Sequence, residues 1–360
     1  DNRRPDSVNF TRNIENDLSR RDFTINAMAY NSHIGLVDPF NGYNDINNKL
    51  IRCVGNPINR FNEDSLRIMR AVRFASTCGF AIHEDTHNAM LDLRHLLAHV
   101  SEERKTSEFI KMLIGANVDL LMQYRDIFVT FIPELQATFE FQQNNPHHIY
   151  DVYTHIAHAV ANAPQDAYIR LALMLHDIAK PLTYTEDENG VGHFYGHADE
   201  GAILVKDILK RMKMDNDTIA IVSELIEYHD VTLNTSLKFT RRMISKMGET
   251  QFRRLIAVMR ADRLAQSKNK DSINNLEALT IIEENIAAVT AKNECFTLKN
   301  LAVNGHDLIE NGIVDGKLIG KTLNYLLEKV MKKRIMSLIL AFAMIVTMIP
   351  QTAFAEDVKF

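Results

Sequence analysis

Apolar and polar positions follow two different rhythms along the chain. In residues 1–55 the apolar stretches are short and strand-like, at Val8 to Phe10, Gly35 to Val37 and Leu50 to Val54, punctuated by Pro5, Pro39, Gly42 and Pro57. From Asn62 to about Gly115 the spacing turns helical, with Leu66, Met69 and Val72 in one segment and Phe109, Met112 and Leu113 in another. From Asp151 onward it is nearly all helical. Ile169 to Leu175, Ile203 to Leu209, Ile219 to Ile226 and Phe252 to Met259 each offer an apolar face, and loops at Glu186 to Gly192 and Asn234 to Lys238 separate them. The pattern predicts a mainly α protein with a small α/β part at its N-terminal end.

Composition narrows this picture without redirecting it. The 360 residues are 46% hydrophobic and 24% charged, ordinary for globular chains, and predict two or three domains. Lys and Arg number 41 against 46 Asp and Glu, so bulk positive charge cannot capture a nucleic acid, and such a ligand requires local basic faces. Cys53, Cys78 and Cys295 are odd in number and far apart, which frames no disulfide scaffold or zinc ribbon; we expect small core residues in a reducing cytosol. Both ends are unusual. The chain opens on Asp1 and reaches chemistry-bearing residues before any core is established, an arrangement that points to coding sequence missing upstream. Met331-Lys332-Lys333-Arg334 leads into the apolar run Ile335 to Ile349 and the small-residue site Ala353-Phe354-Ala355, the layout of a secretory signal peptide. That run has about 15 residues, short of the ~20 of a spanning helix, so residues 331–360 are expected to be foreign to the fold.

Two constellations carry candidate chemistry. In the first, Arg20, Arg21, Asp22 and Asn26 lie within one short segment, where guanidinium forks suit phosphate oxygens and the Asp and Asn suit sugar hydroxyls. A helix start followed by a buried Ile25, Ala27, Met28 face is the plainer alternative. Further on, a continuous helix would place Arg60, Asp64, Arg67 and Ala71 on one face and Leu66, Ile68, Met69 and Val72 on the other. A carboxylate beside a guanidinium can read the edge of a base; it can equally be a solvated ion pair.

The motifs Arg20 to Ala27, Val37 to Asp45, Ile51 to Pro57 and Arg60 to Ala75 resemble, in order, those of class II tRNA nucleotidyltransferases, the CCA-adding enzymes. The likeness continues through Ser101 to Arg104, Pro133 to Leu135 and Asn304 to Gly320, so it covers residues 3–330. It implies a head, neck, body and tail enzyme that adds C, C and A to the tRNA 3′ end from CTP and ATP with Mg²⁺. Asp64 and Arg67 would then select the nucleotide; Arg20, Arg21, Asp22, Asn26, Arg70 and Arg73 would bind it; Asp45 and Arg52 would lie in the head–neck linker. The family's Gly-Gly turn and Asp-x-Asp carboxylates stand upstream of its Arg-Arg-Asp motif, and residues 1–19 hold no such pattern. Transferase activity is therefore not expected of these 360 residues alone.

In the second constellation His155 is followed by His176-Asp177, Lys180, His197, His229 and Asp262. Imidazole and carboxylate donors spread over consecutive helices suit a divalent metal, which would activate water against phosphorus while Lys180 neutralises phosphate. With 14 histidines, chance His-Asp neighbours occur, and His306-Asp307 is one with no partners in sequence. The order of donors resembles the HD phosphohydrolase superfamily. It implies a metal site of His155, His176, Asp177 and Asp262, joined by His197 and His229 if two metals are held, in a domain that removes phosphate from RNA ends for repair. Ni²⁺, Co²⁺, Mn²⁺ and Mg²⁺ remain open. His147, His148, His158 and His193 read as surface or supporting residues.

These readings combine into a head remnant at 1–58, a helical neck at 59–140, an HD domain at 141–265, a helical tail at 266–330 and the signal-like segment at 331–360. The expected setting is cytoplasmic, with the tRNA 3′ end, ATP and CTP as partners, no obligate protein partner, and no membrane unless the tail is genuine. The rivals are a bacterial poly(A) polymerase, an HD phosphohydrolase acting alone, and a non-catalytic tRNA-end binder.

Overall fold

A computed structural model describes residues 13–267, 269–291 and 301–332, and the fold is mainly helical. The chain divides into two compact units, residues 1–233 with 253–277 and residues 234–252 with 278–360.

In the first unit the α/β part is slight. Ala29–Asn31 pairs antiparallel with Gly35–Val37, and Leu50–Ile51 pairs parallel with Ala81–Ile82. The strand expected over Leu50 to Val54 therefore shortens to its first two residues, Cys53 being left in an isolated bridge to Phe23; Val8 to Phe10 lies outside the described residues. Leu18, Ala27 and Val54 are buried beneath this part, with Val37 and Phe40 packed on them.

The continuous helix expected through Arg60 to Ala75 is broken. Pro57–Glu63 starts at an Asn56 cap with Pro57 in its first turn, where the missing N–H costs nothing. It stops at Asp64, whose backbone is extended at φ −149°, and a new helix runs Leu66–Cys78. The reason is local: the Asp64 carboxylate accepts from the Leu66 N–H at 3.1 Å and so starts the second helix rather than continuing the first. Arg60, Asp64, Arg67 and Ala71 consequently share no single helical face. The apolar side is as expected, with Ile68, Met69 and Val72 fully buried, each contributing about 1.5–3 kcal/mol. Cys53 is a core residue, but Cys78, the last residue of the helix before Gly79 turns the chain at φ +66°, is exposed, against expectation; Cys295 lies outside the described residues.

Helix 66–78 packs on Glu102–Gly115, and their ends approach so closely that a Cβ on Gly115 would lie 2.6 Å from the Ser76 carbonyl oxygen. Beyond this pair stand Val152–Asn162, Ala167–Leu175, His197–Arg211, Asn216–Tyr228 and Glu249–Leu264. Asp151, Asp166 and Asp215 cap the starts of the first, second and fourth, satisfying first-turn N–H groups. The loop expected at Glu186 to Gly192 is the turn of a small hairpin, Thr185–Glu186 against Gly192–His193. Arg170, 5% exposed, ties the ends of two helices together. Its guanidinium donates to the carbonyls of Leu113 (2.8 Å) and Ala116 (3.0 Å) and to those of Ala163 (2.9 Å) and Pro164 (3.0 Å). A cation on two helix C-termini complements both dipoles.

In the second unit, Leu237–Met247 is capped by Ser236, and Phe239 meets Phe252 edge-on. Leu308 and Leu326 join Gly305–Glu310 to Gly316–Lys332 in a small core. Asn304 and Asp307 form a reciprocal cap, so His306-Asp307 is a helix start, with His306 exposed beside Glu310. The last described helix continues past Val330 to Lys332, and the run Ile335 to Ile349 lies outside the described residues. Among the described residues, no helix is long and apolar enough to cross a membrane.

Candidate metal centre and nucleotide-reading face

Five elements of the first unit converge on Asp177. His155 comes from helix 152–162, His176 and Asp177 follow the end of helix 167–175, His197 opens helix 197–211, His229 closes helix 216–228, and Asp262 lies on helix 249–264. All six are buried. One Asp177 oxygen, Oδ2, lies 3.2 Å from His176 Nε2, 3.4 Å from His155 Nε2 and 2.8 Å from Lys180 Nζ. The other, Oδ1, lies 3.5 Å from His197 Nε2 and 3.8 Å from His229 Nε2. Asp262 Oδ1 closes the first group, 2.9 Å from His155 Nε2 and 3.7 Å from His176 Nε2.

The imidazoles are turned inward by one recurring contact. His176, His197 and His229 each place Nδ1 2.6–2.8 Å from the carbonyl three residues earlier, and His155 Nδ1 lies 3.4 Å from the Ala265 carbonyl. A carbonyl at Nδ1 favours a proton there and aims each Nε2 at the centre, where a cation would bind. His197 and His229 accordingly face each other, Nε2 to Nε2, at 3.2 Å. His176 Nε2 is also buried among these carboxylate oxygens without a hydrogen bond of good geometry, as a ligand atom arranged for a metal would be. The residues therefore fit a divalent cation on each side of Asp177, with His155, His176 and Asp177 on one and Asp177, His197 and His229 on the other.

Charge follows the same plan. Burial opposes ionisation of Asp177 and Asp262, but His176 and Lys180 around the first, and hydrogen bonds from His155 and His176 to the second, hold both well below the usual carboxylate range. Burial opposes the charged form of His176 too, yet the two carboxylates push it up to about 10. A cation arriving there replaces that proton. His197 is depressed by burial.

The centre opens into a cavity of about 410 Å³. Arg263 and Tyr195 in its lining and Gln143 behind it carry no role in the sequence reading, which takes His148, also in the lining, as a surface or supporting residue. Gln143, 2% exposed, accepts from Lys180 Nζ at 2.8 Å, so Lys180 is held between Asp177 and an amide rather than free for phosphate. Its loop is pinned because Gly192 passes the Gln143 carbonyl where a Cβ would stand 2.3 Å away. His148 has a buried Nδ1 without a partner, and burial, helped by Lys180, lowers its pKa to about 2. Arg263 leans on Gln266 and Asp230 while its Nε is buried and unpartnered. Tyr195 stands 76% exposed at the cavity wall. Position beside Asp262 could have marked Arg263; nothing in sequence links Gln143 to Lys180.

At the other candidate face, Asp64 and Arg67 do not pair. Asp64 takes Arg104 instead (3.1 Å), and Arg67 donates to Glu63 (2.9 Å) and to the carbonyls of Arg60 (3.0 Å) and Arg20 (2.8 Å). Arg70 bridges to Asp22 at 2.6 Å, and Asp22 also accepts from Asn26 at 3.1 Å. Arg73 is committed to Glu108. Arg21 lies over the Asn26 carbonyl at 3.3 Å, and Arg20 is exposed. Buried Asp45 holds Thr24 Oγ1 at 2.7 Å and Arg52 Nε at 3.1 Å, joining the two linker residues. Asp22 thus joins Asn26 and Arg70, while Arg67 holds Glu63 and two backbone carbonyls and Asp64 pairs with Arg104.

Three family models match the chain: a poly A polymerase head domain over residues 1–52, an RNA- and SrmB-binding site of polymerase A over 79–139, and a tRNA nucleotidyltransferase domain 2 over 200–339. A CCA-adding enzyme of Bacillus velezensis is 56% identical over 117 residues, which are 32% of this chain and only 30% of that relative's length. One from Ligilactobacillus salivarius is 30% identical over 342 residues, 92% of this chain and 70% of the relative. The solved structure of the Bacillus stearothermophilus CCA-adding enzyme in complex with CTP shares the fold, with a TM-score of 0.62 and 24% identity over 94% of this chain and 75% of that one.

Proposed function

Since the chain belongs to the family of CCA-adding enzymes, we propose that it serves tRNA 3′-end maturation and repair, and that its helical body is a metal-dependent phosphohydrolase acting on RNA ends. The nucleotide-selecting part of this reading rests on Asp64 and Arg67, on Asp22 joined to Asn26 and Arg70, and on a similar structure solved with CTP. ATP, CTP and the tRNA 3′ end are the partners it implies, with Mg²⁺ for nucleotidyl transfer.

The observation that carries the hydrolytic part is Asp177 with its two oxygens facing separate groups of imidazoles. Divalent metal held there would supply Lewis acidity and lower the pKa of an attacking water. The chain's own contribution is to hold the donors with Nδ1 tied to backbone, to keep Lys180 against Asp177, and to leave Arg263 and His148 facing the cavity. Of the candidate ions, Mn²⁺, Ni²⁺ and Co²⁺ accept imidazole more readily than Mg²⁺. Hydrolysis of RNA ending in a 2′,3′-cyclic phosphate or a 2′-phosphate, dependent on added metal and stopped by EDTA, tests this reading; metal-independent turnover or none in any of the four metals defeats it.

A further inference from the structure

Among the described residues, two side chains of fixed positive charge line the cavity, Lys180 and Arg263. Position after His176-Asp177 gives the phosphate to Lys180, but its Nζ is already engaged. It lies 2.8 Å from Asp177 Oδ2 and 2.8 Å from Gln143 Oε1, and it stands over the Phe194 ring, 5.1 Å from the centroid. The three donors of a buried ammonium are thereby accounted for. With Lys180 withdrawn, an incoming phosphate meets three carboxylates of the same lining, Asp177, Asp262 and Asp230. Arg263 stands differently. Its guanidinium lies between Asp262, beside the first imidazole group, and Asp230, which follows His229 of the second. The protein satisfies little of that fork. Nη1 donates to Gln266 Oε1 at 3.1 Å and lies 3.8 Å from Asp262, Nη2 reaches the exposed Asp230 only at 3.4 Å, and Nε is buried without a partner. A largely buried guanidinium with so few acceptors costs free energy until an anion completes it.

We propose that Arg263, and not Lys180, is the phosphate-binding residue of this cavity: its fork exchanges the contact with Asp230 for two oxygens of a phosphoryl group held beside the metal donors. This rests on the hydrolytic reading and adds to it the residue that holds the phosphate. A planar guanidinium matches two phosphate oxygens at once, which a point-charge ammonium does not. The exchange is inexpensive, because an ion pair with an exposed carboxylate is worth about 0–1 kcal/mol. Lys180 keeps a different task, as the counter-charge of Asp177 fixed in place by Gln143.

The test is calorimetric titration with inorganic phosphate of the full chain, loaded with Mn²⁺, freed of unbound metal and assayed for metal content. Arg263→Met weakens phosphate binding at least about tenfold while metal content stays as in the parent. Arg263→Lys recovers only part of that loss, and Lys180→Met costs less phosphate affinity than Arg263→Met does. A metal-replete Arg263→Met or Arg263→Lys variant with the parent's phosphate affinity, or a larger loss in Lys180→Met, overturns the assignment and leaves the hydrolytic reading standing. Loss of metal together with phosphate in Arg263→Met, with both retained in Arg263→Lys, makes Arg263 a support of Asp262 and overturns the assignment as well. A parent chain that takes up no Mn²⁺ overturns both.

Discussion

Asp177→Asn should abolish metal-dependent phosphoester hydrolysis and metal retention together. Among the described residues, Asp177 is the one carboxylate that lies against both imidazole groups, and the amide has nearly its shape but neither its charge nor two acceptor oxygens. Loss of an outer partner of a metal ligand costs roughly 10–100-fold in affinity or activity, and removing the shared ligand should cost more than that. The substitution also leaves Lys180, 4% exposed and 2.8 Å from the lost oxygen, without its counter-charge. Breaking a buried pair on one side costs about 3–5 kcal/mol, so unfolding could mimic the result. The double variant Asp177→Asn with Lys180→Met removes both charges. It should recover the melting temperature, followed by circular dichroism, but neither hydrolysis nor metal. Hydrolysis surviving in the folded double variant would show that the cluster is a structural charge network.

Arg170→Met should strongly destabilise the first unit. Four carbonyls lose a buried, charged donor, and each buried acceptor left unmade costs about 1–3 kcal/mol, partly offset by the apolar contacts of Met. A net loss of about 3–5 kcal/mol is expected from denaturant unfolding. Lysine should recover only part, since one ammonium cannot reproduce a planar fork that reaches the ends of two helices. A loss under about 1 kcal/mol would mean that water replaces the guanidinium at those carbonyls.

Helical periodicity made the long elements legible, because burial of one apolar face dictates both spacing and packing. The same periodicity concealed the break at Asp64. Apolar spacing runs on from Phe61 to Leu66 and Ile68, while the deciding signal is the short Asp64 side chain, which takes the Leu66 N–H. Chemical type pointed to the candidate metal donors, since imidazole and carboxylate are what such a site consumes. Their meeting was not readable, for His155 and Asp262 stand on different helices and touch only through the tertiary fold. Arg104 as the partner of Asp64 and Gln143 as the partner of Lys180 were hidden for that reason. Tyr195 carried no signal, because an exposed aromatic in a loop is ordinary until the cavity beside it is known.

The most direct test of the central claim is the metal content of the full chain after saturation with Mn²⁺ and gel filtration, measured by mass spectrometry of the eluted protein. The account predicts two ions per chain, one for each group that shares Asp177, with both lost in the folded Asp177→Asn, Lys180→Met variant. Trace metal at saturation, alongside hydrolysis indifferent to EDTA, would contradict it.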